Sequence, residues 1–230
     1  MTLTVRAVDV GSGNTKFISA AAGVDVRCLS FPSIAYPSID GRPGWAVGDR
    51  RRTILTPVGS LFYEVGPDVA LAADTFRARQ LHDDYTLSPE YMALLRGALA
   101  MMKLSQIDLL VVGLPVALFA GRKAALEAAM TGHHNIGNDK VVNVSRALAV
   151  AQPQGALVHY ASVHGKLTEI GNERSLIIDP GSRTFDWLVA QGMRLVPKLR
   201  LPLKSGVRSP ILKRQFLAAP PTSVVRIASG

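Results

Sequence analysis

Two loops of similar chemistry constrain the fold of this chain more than any other feature. Each follows an aliphatic segment and runs from an aspartate through small residues and glycine to a threonine: Asp9-Val-Gly-Ser-Gly-Asn-Thr and Asp179-Pro-Gly-Ser-Arg-Thr. One such loop alone is typical of a tight hairpin turn, in which Asp, Asn, Gly and Ser are favoured for local reasons. Two of them, more than a hundred residues apart, favour a clamp built from two similar domains around one nucleotide.

The residue types of these loops suit a nucleoside triphosphate. Bound phosphates require N–H donors, close approach of the backbone, and a countercharge such as hydrated Mg²⁺. Glycines that adopt a positive φ can expose their amides. Asp9 and Asp179, each at the end of a strand, are predicted to hold the metal through its water shell, and Asp179 also to orient an attacking water. The predicted phosphate contacts are Gly11, Ser12, Gly13, Asn14, Thr15 and Lys16 in the first loop and Gly181, Ser182 and Thr184 in the second.

The sequence between the loops alternates between strand and helix patterns. Ser88 followed by Pro89 is a strong helix start, and apolar residues then recur at helical spacing as far as Met102. His133 and His134 lie in the polar segment TGHHNIGNDK, which is predicted to be a solvated loop. Further predicted elements are a hairpin of residues 3–10 and 17–20, strands at 109–114, 141–144 and 175–178, and a helix at 122–130.

The same residues carry a family resemblance. Residues 9–16 resemble the first phosphate motif of the actin, sugar-kinase and Hsp70 superfamily, and residues 176–186 resemble the second. Between them, Phe31-Pro-Ser, Trp45-Ala-Val-Gly48 and Val111-Val-Gly-Leu-Pro115 are similar to stretches of bacterial plasmid-segregation proteins of the ParM/StbA family, in the expected order. The resemblance extends from residue 3 to about residue 195.

The resemblance implies an α/β fold of the RNase H-like actin/Hsp70 type, with a mixed sheet flanked by helices and an incomplete second domain. The implied domains are an N-terminal actin-like domain at 1–165, the start of a second at 166–197, and a divergent basic tail at 198–230 for which poor order is expected. The implied cofactors are ATP and Mg²⁺. The implied function is ATP-dependent filament formation in plasmid segregation by full-length relatives, through self-association and plasmid DNA held by an adaptor protein.

A glutamine is the predicted partner of the hydrolytic water. Ala151-Gln-Pro-Gln-Gly-Ala156 resembles the family segment in which Glu or Gln polarises this water, and Gln152 matches that position. An amide cannot act as a base, but it can orient water through its carbonyl oxygen, so slow hydrolysis is expected. The alternative is a structural Gln before a helix that starts at proline.

The chain also departs from the family pattern. Pro180 and Arg183 stand where small residues are usual, and no adenosine-binding loop is recognisable after residue 197. This end is therefore expected to be truncated or frameshifted, which leaves ATP hydrolysis by this chain an open prediction. Of the net charge of +9, seven positive charges lie in the tail beyond residue 197, which contains no acidic residue, so 9 − 7 leaves +2 for the rest.

Two alternative functions follow from these features. A sugar-kinase-like phosphotransferase of the same superfamily would need a carboxylate base, for which the sequence offers no convincing candidate. A non-enzymatic DNA-binding or adaptor fragment would rely on the basic tail. The single cysteine, Cys28, and the lack of a signal-peptide pattern or long apolar segment predict a cytoplasmic protein without a membrane partner.

Overall fold

A computed structural model of the chain describes residues 3–22, 25–38, 51–71, 85–180, 185–196 and 223–226. The chain divides into two compact units, the first formed by residues 1–113 and 122–149 and the second by residues 114–121 and 150–230. The domain limits predicted from the resemblance stay a prediction.

The described residues form fifteen strands and four α-helices. In chain order they are β1 (Val5–Val10), β2 (Asn14–Ala22), β3 (Asp25–Pro32), β4 (Tyr36–Ser38), β5 (Ile54–Val58), β6 (Leu61–Val65), α1 (Pro89–Met102), β7 (Gln106–Ile107), β8 (Leu109–Leu114), α2 (Val116–Met130), β9 (Gly132–Gly137), β10 (Lys140–Val144), β11 (Ala147–Ala151), α3 (Gln152–Val163), α4 (Leu167–Asn172), β12 (Arg174–Pro180), β13 (Phe185–Gln191), β14 (Arg194–Leu195) and β15 (Ser223–Arg226).

A mixed five-stranded sheet in the order β11-β8-β1-β2-β3 organises the first unit. β1 pairs antiparallel with β2 and parallel with β8, so the predicted N-terminal hairpin is confirmed. Two three-stranded sheets, β7-β10-β9 and β4-β6-β5, complete the strands of this unit. Val8, Leu110 and Val112, at most 2% exposed, belong to its core.

Helix α1 confirms the predicted helix and its start. The Ser88 side chain accepts a hydrogen bond from the backbone N–H of Tyr91, and Pro89 occupies the first turn, because both residues suit the unpaired N–H groups of a helix start. The helix contacts β1, β2, β5, β6 and β9. Its residues Leu94, Leu95 and Leu99 are fully buried, so α1 supplies much of the core.

Helix α2 is longer than predicted, since it begins at Val116 rather than at Arg122. Residues 116–121 continue the aliphatic segment of β8 in sequence, which concealed their helical period. The signal that marks the true start is Pro115, which directly precedes the helix.

The prediction of a solvated loop around the paired histidines was wrong. Residues 132–137 form β9, which pairs antiparallel with β10. Burial alternates along β9, so His133 is exposed whereas His134 is 2% exposed. His134 Nε2 lies 2.9 Å from the Met130 carbonyl oxygen. Pairing with β10 supplies the backbone bonds that a polar segment otherwise takes from water.

The second unit contains a four-stranded sheet in the order β14-β13-β12-β15. β15 lies within the tail and pairs antiparallel with β12 from Ser175↔Arg226 to Ile178↔Ser223. The sequence did not predict this strand, and the poor order expected of the tail stays a prediction. The other tail residues, 198–222 and 227–230, lie outside the described residues. The core of this unit consists of Val116, Ala151, Leu157, Ala161, Ile170, Ile177, Leu188 and Ala190.

Among the helices of the described ranges, none has the length and apolar character needed to cross a membrane.

Candidate functional site

The first candidate loop closes the hairpin of β1 and β2. The register pairs Asp9 with Lys16 and Val10 with Thr15. The Gly11 N–H donates to the Asn14 carbonyl oxygen over 3.2 Å, which leaves residues 12 and 13 at the tip. The strands thereby place Asp9 in the last rungs of β1, as the sequence predicted.

Side chains alternate in exposure along the start of β2. Asn14 and Lys16 are exposed, whereas Thr15 and Phe17 are buried, because successive residues of a strand point to opposite faces. Lys16 shares a face with Asp9, its partner across the hairpin. Asn14 and Lys16 are thus accessible to a ligand.

Gly11 acts through its small size. Neither Gly11 nor Gly13 is among the described residues with positive φ, a conformation that glycine permits. A Cβ at Gly11 would lie 3.1 Å from the Asn14 carbonyl oxygen, which is closer than side chains normally approach. The hairpin therefore closes in ordinary φ space and needs glycine for the tight approach.

Ser33 is a residue of this region that sequence reasoning missed. Its N–H donates to the Gly13 carbonyl oxygen over 3.0 Å, and its hydroxyl lies 2.9 Å from the Thr15 hydroxyl. Thr15 is fully buried and Ser33 is 7% exposed, so the Thr15 hydroxyl faces the protein interior. The signal was present in Phe31-Pro-Ser, but only as part of a family pattern.

Asp9 is half-buried near a buried phenol. Burial raises the pKa of Tyr91, and the charges of Asp9 and Tyr85 raise it further. The Tyr91 ring packs edge-on against Tyr85 with centroids 5.8 Å apart. The Tyr91 hydroxyl is buried without a hydrogen-bond partner in the described structure. A carboxylate at the end of a strand suits a hard cation such as Mg²⁺, which prefers oxygen ligands.

The second candidate loop follows β12. The register pairs Asp179 with Asp186 and Pro180 with Phe185, so a hairpin of β12 and β13 carries Asp179 in its last rungs. This is the backbone arrangement predicted from the sequence. Gly181, Ser182 and Thr184 lie outside the described residues, and their role as phosphate contacts stays a prediction.

Helix α3 begins at Gln152, which confirms the predicted helix start at this position. Gln154 has a structural role, since its Oε1 accepts the Ala151 N–H over 2.8 Å and its Nε2 donates to the Met193 carbonyl oxygen over 3.1 Å. Met193 follows β13, next to the rung that pairs Gln191 with Arg174. Gln154 therefore anchors the start of α3 at the end of the hairpin opposite to Asp179.

Asp179 and Arg174 lie near opposite ends of β12, five residues apart along the strand, roughly 17 Å at the usual rise per residue. The hydrogen bonds of Gln154 join the start of α3 to Met193, near the Arg174 end. The role of Gln152 in water orientation stays a prediction. In the described ranges, no group of three or more His, Cys, Asp and Glu side chains is arranged to hold a metal ion.

A mixed sheet flanked by helices, with a hairpin in each unit that carries an aspartate near its end, defines an α/β protein of the actin-like type. The chain belongs to the actin-like protein family: the family's N-terminal domain, described as "Actin like proteins N terminal domain", matches residues 7–155, more than half of the 230 residues. The predicted actin-like superfamily and α/β fold class are thereby confirmed. A comparison with curated protein sequences gave no match.

Solved structures of actin-like proteins share this fold. An AlfA filament bound to AMPPNP aligns with a TM-score of 0.67 at 19% identity, over 95% of this chain and 76% of that chain. Ta0583, an archaeal actin homologue, aligns with a TM-score of 0.67 at 26% identity, over 93% of this chain and 66% of that chain. The apo pSK41 ParM protein aligns with a TM-score of 0.65 at 18% identity, over 90% of this chain and 67% of that chain. The chain thus spans about two thirds to three quarters of the length of these proteins.

Proposed function

We propose that the chain is an actin-like nucleotide-binding protein of plasmid segregation and that it binds Mg-ATP through its two aspartate hairpins. The observation that carries the proposal is the first hairpin, in which Asp9 and Lys16 share a face beside a tip held by Gly11 and Ser33. A carboxylate for the metal and a cation for the phosphates are thus adjacent. Similar solved structures support the choice of a nucleotide as ligand, since an AlfA filament is bound to AMPPNP and Ta0583 is in complex with ADP.

Each hairpin has a separate role in this proposal. Asp9 and Asp179 hold Mg²⁺ through its water shell, and the metal offsets the charge of the phosphates. The exposed side chains Asn14 and Lys16 contact phosphate oxygens, together with Ser12 and the amides of the tip. Gly181, Ser182 and Thr184 provide the equivalent contacts from the second hairpin. Gln152 orients the hydrolytic water through its carbonyl oxygen, so turnover is slow.

Assembly is the second part of the proposal. The similar solved structures include filaments of AlfA, of Alp12 and of a ParM from Clostridium botulinum. We propose that this protein also associates with itself into nucleotide-dependent filaments, acts in the cytoplasm, and reaches plasmid DNA through an adaptor protein.

Calorimetry with Mg-ATP tests nucleotide binding first. We expect micromolar affinity in the parent chain and a loss of at least about tenfold in Asp179→Ala and Asp9→Asn, because each removes one metal-facing carboxylate. Glu169→Gln is the matched control, since it makes the same change in charge on the exposed surface of α4. Absence of binding at millimolar Mg-ATP would overturn the proposal.

The same preparation separates the alternatives. Light scattering that rises only with Mg-ATP supports filament formation, and phosphorylation of an added sugar would favour a kinase instead. Retention on DNA that weakens steeply with salt and disappears when residues 198–230 are deleted would favour a DNA-binding fragment. Gln152→Ala should lower the hydrolysis rate and leave Mg-ATP affinity within about twofold of the parent value, since Gln152 acts on water rather than on the phosphates.

A further inference from the structure

Ser33 follows β3 and contacts the first hairpin at two points. Its N–H donates to the Gly13 carbonyl oxygen over 3.0 Å, and its hydroxyl lies 2.9 Å from that of Thr15. Both side chains are buried, with Thr15 at 0% and Ser33 at 7% exposure. Buried polar bonds hold a segment in one arrangement, because breaking them leaves polar groups without partners.

The bond to Gly13 fixes the direction of a peptide unit at the tip of the hairpin. A trans peptide is planar, so its C=O and its N–H point in opposite directions. No peptide bond in the described part of the chain is cis. Since the Gly13 carbonyl points at Ser33, the N–H of Asn14 points away from Ser33.

The segment around Ser33 is itself well supported. Phe31 is 2% exposed and packs edge-on against Phe17, with ring centroids 6.1 Å apart. The Ile34 N–H donates to the Pro32 carbonyl oxygen over 2.8 Å, which turns the chain directly after β3. Ser33 therefore rests on the core of the first unit rather than on a free loop.

We propose that Ser33 is a positioning residue for the first hairpin: it holds the Gly13–Asn14 peptide so that the Asn14 N–H is presented to phosphate oxygens of a nucleoside triphosphate. This inference rests on the proposed function of the same hairpin. The Thr15 hydroxyl keeps Ser33 in place and acts on the ligand only through it. Nucleotide affinity then depends on two buried hydroxyls that do not touch the nucleotide.

A double-mutant cycle with a matched control tests this role. Ser33→Ala and Thr15→Val each remove one hydroxyl of the pair, and their combination removes both. Ser19→Ala is the control, because the Ser19 hydroxyl also bonds across β2 and β3, to the Arg27 carbonyl oxygen over 3.0 Å, but away from the tip. Thr15→Ser keeps the hydroxyl and serves as the conservative variant.

Two quantities are measured on the full chain: the Kd for Mg-AMPPNP by calorimetry, and, without nucleotide, hydrogen exchange of the residue-33 amide, whose N–H bonds to the Gly13 carbonyl. Each single variant should raise the Kd about five- to tenfold and speed exchange of the residue-33 amide. The double variant should add at most about twofold, since the hydroxyls act as one unit. Ser19→Ala and Thr15→Ser should stay within about twofold of the parent Kd and keep its exchange rate.

The outcomes separate this inference from the proposed function. Additive effects of the two hydroxyls on the Kd, or single variants with parental Kd and parental exchange of the residue-33 amide, would overturn the role of Ser33. If the parent chain does not bind Mg-AMPPNP, the proposed function fails, and the exchange of the residue-33 amide alone tests the role of Ser33. Faster exchange of this amide in Ser33→Ala and Thr15→Val, but not in Ser19→Ala, would then still show that the two hydroxyls hold the bond to Gly13, and unchanged exchange would refute it.

Discussion

Two buried hydroxyls of the first unit differ in their hydrogen bonding. Thr56 is fully buried and donates to the Tyr63 carbonyl oxygen over 3.2 Å. The Tyr91 side chain is 2% exposed, and within the described structure its hydroxyl has no partner. A buried hydroxyl without a partner has lost its bonds to water and gained none, so its presence lowers stability.

Removal of these two hydroxyls should therefore have opposite effects. We expect Tyr91→Phe to leave the free energy of unfolding unchanged or to raise it by about 1 kcal/mol, because it removes an uncompensated polar group. Thr56→Val, the comparison variant, should lower it by about 1 kcal/mol, because it removes the bonds that the Thr56 hydroxyl makes to the Tyr63 and Ala93 carbonyl oxygens. Urea unfolding checks both values. Equal losses in the two variants would show that Tyr91 has a partner in solution.

His134 should make the stability of the first unit depend on pH. Burial lowers its pKa from 6.5, and the charges of Arg96 and His133 lower it further, against the opposing effect of the Met130 carbonyl. The folded state thus favours neutral His134. Its contribution to stability is complete above the unfolded-state pKa of 6.5 and is lost as the pH falls through the lower folded-state pKa.

Urea unfolding between about pH 7.5 and about pH 5 measures this dependence. His134→Gln should flatten the curve below pH 6.5, whereas His133→Gln, which changes the exposed neighbour, should largely preserve it. A curve that His134→Gln leaves unaltered would assign the dependence to other groups.

These residues also show where sequence analysis fails at this scale. Polar composition around His133 and His134 predicted a loop, because burial of His134 depends on pairing with β10 and on packing against α1, neither of which is visible locally. Asp9 and Asp179 were placed correctly at strand ends, since an aliphatic segment that ends in Asp and Gly is a local signal. Ser33 was missed because its partners lie 18 and 20 residues earlier in the chain.

At the scale of elements, α1 and α2 each contain one glycine. Comparison of the two glycines separates the effect of packing from the effect of helix propensity. A Cβ at Gly97 of α1 would overlap Cγ2 of Val65, a fully buried residue of β6, and would approach the Phe31 ring to 3.7 Å. At Gly121 of α2, no described atom lies within 4 Å of the Cβ position outside the helix backbone and its chain neighbours. Gly97 therefore allows α1 to approach the sheet, whereas Gly121 has no such role.

Substitution of alanine for glycine should change the free energy of unfolding in opposite directions at the two sites. Gly97→Ala gains about 1 kcal/mol of helix propensity but forces overpacking that costs about 1–3 kcal/mol, so we expect net destabilisation. Gly121→Ala should stabilise by about 0.5–1 kcal/mol, since only propensity changes. Thermal or urea unfolding of both variants provides the comparison. A stabilised Gly97→Ala variant would mean that β6 shifts to make room.

Elements were predictable where one local signal dominates. Ser88 and Pro89 determined the start of α1, and the alternation in residues 5–10 determined β1. The start of α2 was misplaced because the aliphatic residues of β8 continue past Pro115 and conceal the change of period. Strand order depends on long-range pairing, such as β1 beside β8, and it was predictable only through the family resemblance.

At the scale of the whole molecule, the tail contributes the strand β15 to the sheet of the second unit. β15 pairs with β12 over four rungs, on the side opposite to β13. The sequence did not predict this strand, because four residues in a segment without regular periodicity carry too little pattern. Since β12 also carries Asp179, the end of the chain supports the strand that the second hairpin needs.

Deletion of residues 223–230 should therefore weaken the second unit selectively. Without β15, β12 becomes an edge strand whose backbone groups on that side are open to water, so those amides of residues 175–178 that face β15 should exchange at least about tenfold faster. Amides of β1 and α1, in the first unit, should keep their exchange rates.

Deletion of residues 227–230 alone is the matched control, because it retains β15 and should preserve the parent pattern. Exchange at β12 that does not change on removal of residues 223–230 would show that β15 does not pair stably in solution. Faster exchange throughout the chain would instead mean that the two units unfold as one.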